Sequence, residues 1–133
     1  MTMTAFKLLT RIVNPHGISK SITTIWSRNL SLNSTNMSKY FMLTYNYVPD
    51  VLEKRAPLRA EHLELAGKYL QQGKVLLGGA FANPIDSAAI IFKTDSKSDV
   101  EDFVNADPYV LKGLVTKWTI REWTVVIDGT AKI

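Results

Sequence analysis

The chain has 133 residues, 46% of them hydrophobic, and a formal net charge of +4, a size and balance that suit one globular domain. It holds no cysteine and two histidines. That excludes a disulfide scaffold, a thiol nucleophile and any cysteine-ligated zinc or iron–sulfur centre, and it leaves too little for a His-rich metal site. No run approaches ~18 consecutive apolar residues, so neither a membrane-spanning helix nor a membrane partner is expected.

A basic chain invites nucleic acid as a partner, but the charge is not evenly spread. Residues 1–39 hold five basic side chains, Lys7, Arg11, Lys20, Arg28 and Lys39, and no acid; the first acid is Asp50. Residues 40–133 carry 11 basic and 12 acidic groups, a net of −1. Phosphate binding needs clustered Lys and Arg, and the aromatic-rich pattern of RNA-binding ferredoxin-like domains is absent. No nucleic-acid partner is therefore expected.

The N-terminal segment has a further regularity: twelve of its first 39 residues are Ser or Thr. On a helical wheel Phe6, Leu8, Leu9, Ile12 and Val13 form one arc with Lys7 and Arg11 opposite. Pro15 and Gly17 break this pattern. Ile18, Ile22, Ile25 and Trp26 resume it, with Lys20 and Arg28 turned away. A Ser- and Arg-bearing amphipathic segment without acids reads as a transit peptide over residues 1–38, mitochondrial (matrix) or alternatively plastid. An ordinary surface tail is the competing reading. Cleavage is expected near residues 28–36, and an internal start at Met37 would give a cytoplasmic form.

From residue 39 to 129 the chain reads β-α-β-β-α-β, with 130–133 as a tail. Tyr40–Val48 is aromatic and β-branched, as strands are. Asp50 and Glu53 have capping-box spacing for a short helical turn. Pro57 suits the first turn of a longer helix running to about Gln72, and Gly73 supplies its stop. Lys74–Ala82 is a strand containing Gly78-Gly79, Asn83-Pro84-Ile85-Asp86 is turn chemistry, and Ser87–Lys93 returns as the next strand. Ser98 and Glu101 have capping-box spacing for a short helix ending before Asp107-Pro108. Lys117–Ile127 is the last strand.

This order predicts an α+β fold, a ferredoxin-like βαββαβ sandwich with a four-stranded antiparallel sheet and both helices on one face. A sheet covered on one face should alternate apolar and polar residues, but these strands do not. Trp118 and Ile120 oppose Trp123, Val125 and Ile127, while Ala88, Ile90 and Phe92 oppose Ala89 and Ile91. The second apolar face is expected to pack against another copy, giving a homodimer with stacked sheets.

On the main helix Leu58, Leu65, Ala66 and Tyr69 define the buried arc, with Leu63 and Leu70 at its edge. His62 lies about 40° from Leu58, inside that arc, and Arg59 also leans toward it. A polar group on a core face needs a partner, since an unsatisfied one costs ~1–3 kcal/mol. With no second His in the domain, a carboxylate is the expected partner. Asp107, at a helix end beside a proline, is the candidate to orient it. Each has a plain structural alternative: a hydrogen-bonded core histidine for one, a helix-terminating Asx turn for the other. Glu122, on the face of Trp118 and Ile120, has two readings, a further buried carboxylate or, preferred, a partner of a neighbouring Lys or Arg.

Leu52-Glu53-Lys54-Arg55, Arg59-Ala60-Glu61-His62-Leu63, Gly78-Gly79-Ala80-Phe81, Asp107-Pro108-Tyr109, Gly113-Leu114-Val115 and Arg121-Glu122-Trp123 resemble, in order and spacing, the YciI-like (YCII-related) family over residues 40–129. The resemblance implies a ferredoxin-like fold, a dimeric α/β-barrel assembly, and an active site on a His–Asp pair that corresponds to His62 and Asp107. Arg59 matches a recurrent basic residue and is expected to bind an anionic substrate group. Many members read Gly-Pro where this chain has Gly79-Ala80, so the pocket rim is expected to differ.

The resulting expectation is a small-molecule enzyme. His62 would move a proton as general acid/base, Asp107 would set its tautomer, and Arg59 would anchor a carboxylate or enolate, in an elimination, isomerisation or tautomerisation. Muconolactone isomerase-like and dehydrochlorinase-like proteins of the wider barrel group resemble this idea. No metal or organic cofactor is expected, because the nucleotide- and zinc-binding motifs are absent. The alternative is a non-catalytic dimer binding a metabolite or a protein. The substrate itself is not legible.

Overall fold

A computed structural model describes residues 38–130. The expected presequence lies outside the described residues up to position 37, as do the last three residues of the chain.

The first strand, β1 (Lys39–Tyr47), shows why the sheet has a core side. Phe41, Leu43 and Tyr45 are buried, while Tyr40, Met42 and Thr44 between them are only half-covered. That is the period-2 alternation of a strand covered on one face. The chain then turns through α1 (Val51–Arg55) and a 3₁₀ turn, Ala56–Leu58, into α2 (Arg59–Gln71). Pro57 sits in the 3₁₀ turn rather than inside the long helix, which therefore starts two residues later than its proline suggests. The long helix stops as expected. Gln72 caps it and Gly73 adopts φ +74°, with Gly73 N–H donating to Leu70 O at 3.0 Å and Lys74 N–H to Tyr69 O at 2.9 Å. This pair of bonds is a Schellman ending, which needs a left-handed residue that glycine adopts without penalty.

The remaining elements are β2 (Val75–Ala80), β3 (Ser87–Thr94), α3 (Lys97–Ala106), α4 (Pro108–Leu111) and β4 (Val115–Trp123). The strand order is β2-β3-β1-β4, with every neighbouring pair antiparallel. This is the ferredoxin-like arrangement expected from the sequence. The core joins Phe41, Leu43, Tyr45, Ile90 and Phe92 of the sheet to Val100, Phe103 and Val104 of α3, with Leu65, Ala66 and Tyr69 of α2 packed against them. Three of these rings meet edge to face: Phe103 lies 5.2 Å from Tyr69 and 5.3 Å from Phe92, centroid to centroid.

Several local expectations are corrected. Asp50 makes no side-chain cap; it pairs instead with Lys54 at 3.1 Å, one turn on. The cap of α3 is Ser96 rather than Ser98, with Ser98 N–H donating to Ser96 Oγ at 3.2 Å. Leu63 and Leu70 are half-exposed. β4 ends at Trp123, short of Ile127, because β1 begins at Lys39 and offers Trp123 its last partner, Tyr40. Glu122 is exposed and pairs with Lys39 at 3.4 Å. Among the described residues no helix is long and apolar enough to cross a membrane.

Candidate active site

Asp107 is fully buried, and its carboxylate is held from three directions. As the N-cap of α4 it accepts the Tyr109 N–H on Oδ1 at 2.9 Å. Pro108 occupies the first helical position, where its missing N–H costs nothing. Oδ2 accepts the Tyr45 hydroxyl at 2.9 Å, reaching across from β1. His62 of α2 completes the set, its Nδ1 lying 2.8 Å from Oδ1. A buried charge is tolerated only when it is paired and hydrogen-bonded, and here both oxygens are engaged. Burial, and then the Asp107 charge, push the Tyr45 hydroxyl far above the ordinary phenol range, so it remains a donor.

This geometry assigns the histidine proton. A carboxylate that already accepts from an N–H and an O–H also accepts from Nδ1–H, which leaves Nε2 as the free lone pair of the neutral ring. Among the described residues Nε2 has no protein partner. The Tyr109 ring stacks on the imidazole at 3.9 Å and 4° and covers one face of it. Tyr109 is itself locked by the end of α4. Gly113 takes φ +76°, Leu114 N–H donates to Tyr109 O at 2.9 Å, and Leu114 packs beside Tyr109 and Val51. The buried Tyr109 hydroxyl has no hydrogen-bond partner among the described residues.

His62 and Tyr109 form part of the wall of a cleft of about 390 Å³ between α2 and the β2–β3 edge of the sheet. The cleft exists because β2 and β3 present Gly78, Ala80 and Ala88 there, side chains too small to fill it. At Gly78 even a Cβ would meet Ile90 Cγ1 at 3.1 Å. Arg55, Arg59 and Tyr47 line the cleft as well. The register of β1 shifts between Asn46 and Tyr47, where the strand passes beside the cleft; irregularities of this kind re-aim side chains near sites. Burial, then the neighbouring Tyr109 and Asp107, push the Tyr47 phenol up to about 12 against the pull of Arg55 and Arg59. Among the described residues no group of three or more His, Asp or Glu is placed to hold a metal.

All three sequence-derived candidates, His62, Asp107 and Arg59, thus lie at this cleft or hydrogen-bonded directly behind it. Sequence reasoning missed Tyr45, Tyr47, Tyr109 and Arg55 as members of the site. A signal for Tyr45 existed: it shares the buried parity of Phe41 and Leu43, where a phenol must find a partner.

A ferredoxin-like α+β domain carrying a buried carboxylate behind a cleft histidine is the class that fold and geometry define. Residues 39–124 match the family model of the YCII-related domain, and the chain belongs to that family. No curated protein matches it. Among solved structures it is similar to 5-chloro-2-hydroxyhydroquinone dehydrochlorinase (TftG) from Burkholderia phenoliruptrix, determined in complex with 2,5-dihydroxybenzoquinone. The two are 22% identical over 64% of this chain and 93% of that one, with a TM-score of 0.56. It is also similar to a dimeric ferredoxin-like protein from an uncultured marine organism, at 15% identity over 77% of this chain and 99% of that one, with a TM-score of 0.48.

Proposed function

We propose that this protein is a small-molecule enzyme in which His62 acts as general acid/base and Asp107 holds its tautomer and stabilises the imidazolium. The reaction class is elimination, isomerisation or tautomerisation. The observation that carries this reading is the 2.8 Å link from Nδ1 to a fully buried carboxylate. That link leaves Nε2 unpartnered on a residue that lines the cleft. In this role Nε2 takes a proton from a carbon or oxygen acid; in an isomerisation or tautomerisation the resulting imidazolium returns it elsewhere on the same compound, and in an elimination the leaving group departs and the proton passes to it or to solvent. Arg59 lines the same cleft and balances the enolate or carboxylate charge.

The test is a screen for turnover and for solvent deuterium incorporation by proton NMR. Hydroxylated benzoquinones are the starting compounds, since the TftG structure contains one, with enolisable acids beside them. His62→Gln keeps an amide able to donate to Asp107 but removes the titrating nitrogen. It is expected to lower turnover by roughly 10²–10⁴-fold while leaving the melting temperature nearly unchanged. Loss of folding in His62→Gln, with no turnover of any compound by the unsubstituted protein, would instead leave a non-catalytic binding module.

We further propose that the protein is a homodimer with sheets stacked face to face. The face of the sheet away from the helices supports this. It carries Leu77, Ala89, Ile91, Met42 and Trp123, and Leu77 and Trp123 are 62% and 43% exposed. Leu77, Ile91 and Met42 lie side by side on neighbouring strands of a face they share with Thr44, Thr119 and Arg121, and an exposed apolar row of this kind points to an interface. Light scattering on the full chain at micromolar concentration should give twice the protomer mass, and Ile91→Lys should lower it toward one. A monomeric unsubstituted protein would overturn this.

A further inference from the structure

The stretch of cleft wall formed by Arg55, Arg59 and Tyr47 is rich in hydrogen-bond donors, and no carboxylate is among the lining residues. Arg55 closes α1 and Arg59 opens α2; the 3₁₀ turn between them puts both in the wall of one cleft. Among the described residues neither guanidinium has an acidic partner or a hydrogen bond. The neighbouring acids are committed or turned away: Asp50 to Lys54, Glu64 to Lys68, Asp107 to its own three donors, while Glu53 and Glu61 are exposed and do not line the cleft. Tyr47 lines the same wall; among the described residues its hydroxyl makes no hydrogen bond, and it lies within the field of both arginines. The buried Tyr109 hydroxyl beside it is likewise unpartnered. Two cations side by side repel each other unless an anion sits between them, and a planar guanidinium fork fits a carboxylate. The rest of the lining is apolar or small: Leu63, Ala66, Ile85, Ala80 and Ala88. The volume, about 390 Å³, lies near the bottom of the roughly 300–1,000 Å³ range of small-molecule sites.

We infer that the cleft takes a small carboxylate with an apolar, single-ring-sized body. Its carboxylate is bound jointly by Arg55, Arg59 and the Tyr47 hydroxyl, and its body lies over Ala80 and Ala88 toward His62 Nε2. This deepens the acid/base reading of the same site and rests on it for the role of Nε2, but binding is measured separately from turnover. Arg55 and Tyr47 are thereby ligand-binding residues alongside Arg59.

The probe is salicylate, titrated by calorimetry into the full-length protein, with neutral salicylamide and inorganic phosphate as comparison ligands. Salicylate should bind saturably. Salicylamide should bind at least about tenfold more weakly, because it lacks the charge that strengthens each guanidinium bond. Phosphate should also bind more weakly, because it has no body to bury. Arg55→Met and Arg59→Met, at half-exposed and exposed positions where folding is not at stake, should each weaken salicylate by about tenfold or more. Arg55→Lys should restore only part of the loss. No saturable salicylate binding, equal affinity for salicylamide or phosphate, or unchanged affinity in both arginine variants would each overturn the inference. If salicylate binds as expected but no compound turns over, the acid/base reading fails and the carboxylate site stands. If His62-dependent turnover is found with unchanged affinity in the arginine variants, the reverse holds.

Discussion

Replacing Asp107 by Ala is expected to destabilise the domain by about 2–6 kcal/mol, the cost of leaving two buried donors without an acceptor. The cause is the set of donors left behind. The Tyr45 hydroxyl and the Tyr109 N–H both point at Asp107 inside the fold, and each buried donor without an acceptor costs about 1–3 kcal/mol. Asp107→Asn should separate stability from chemistry. The amide oxygen can stay on Tyr109 N–H and His62 Nδ1–H, while the amide nitrogen donates to a Tyr45 hydroxyl that has rotated to accept. The loss of stability should then be on the order of 1 kcal/mol. On the proposed acid/base reading the charge that would stabilise an imidazolium is nevertheless gone, and turnover should fall by a factor comparable to that of His62→Gln. Urea unfolding at fixed protomer concentration measures the first effect and initial rates the second. If Asp107→Asn were as unstable as Asp107→Ala, the carboxylate would be serving the fold alone.

Phe103→Ala is expected to cost about 3–5 kcal/mol, as truncation of a fully buried aromatic does. Phe103 is wholly inaccessible and meets both Tyr69 and Phe92 edge to face, so it joins α3, α2 and β3 at one point. For a domain of this size each kcal/mol corresponds to roughly 4–8 °C in melting temperature. The midpoint should therefore fall by at least about 12 °C, which calorimetry reads directly. A loss under about 1 kcal/mol would mean that the surrounding rings close the cavity, contrary to the packing described. Because Phe103 lies outside the cleft lining, salicylate affinity below the lowered midpoint should be little changed.

Much of this architecture was legible before any coordinates. The βαββαβ order of elements follows from strand composition and turn residues, and Gly73 closes the main helix where a left-handed residue is needed. His62 was legible because 3.6-residue geometry puts it on the apolar arc, and Asp107 because the following proline fixes its backbone. What escaped depends on distance along the chain. Tyr45 and Asp107 are 62 positions apart, and nothing local to either predicts their bond. Arg55 was hidden by the helix break at Ala56–Leu58, which spoils a single helical wheel across Arg55 and Arg59. The capping errors have another origin. Two serines two residues apart compete for one cap, and spacing rules do not say which hydroxyl wins. The over-long last strand arose because apolar residues continue to Ile127 while the ladder stops where its partner strand begins.

The division of labour around the cleft bears on how such a protein diversifies. The residues proposed to handle the proton sit on β1, α2 and α4, whereas Gly78, Ala80 and Ala88 line the cleft from the edge hairpin β2–β3. A methyl lost from Ala80 or Ala88 would widen the cleft from the side away from His62 and Asp107, whereas at Gly78 an added methyl meets Ile90. What the cleft accepts is thus set on a different part of the chain from the proposed acid/base pair.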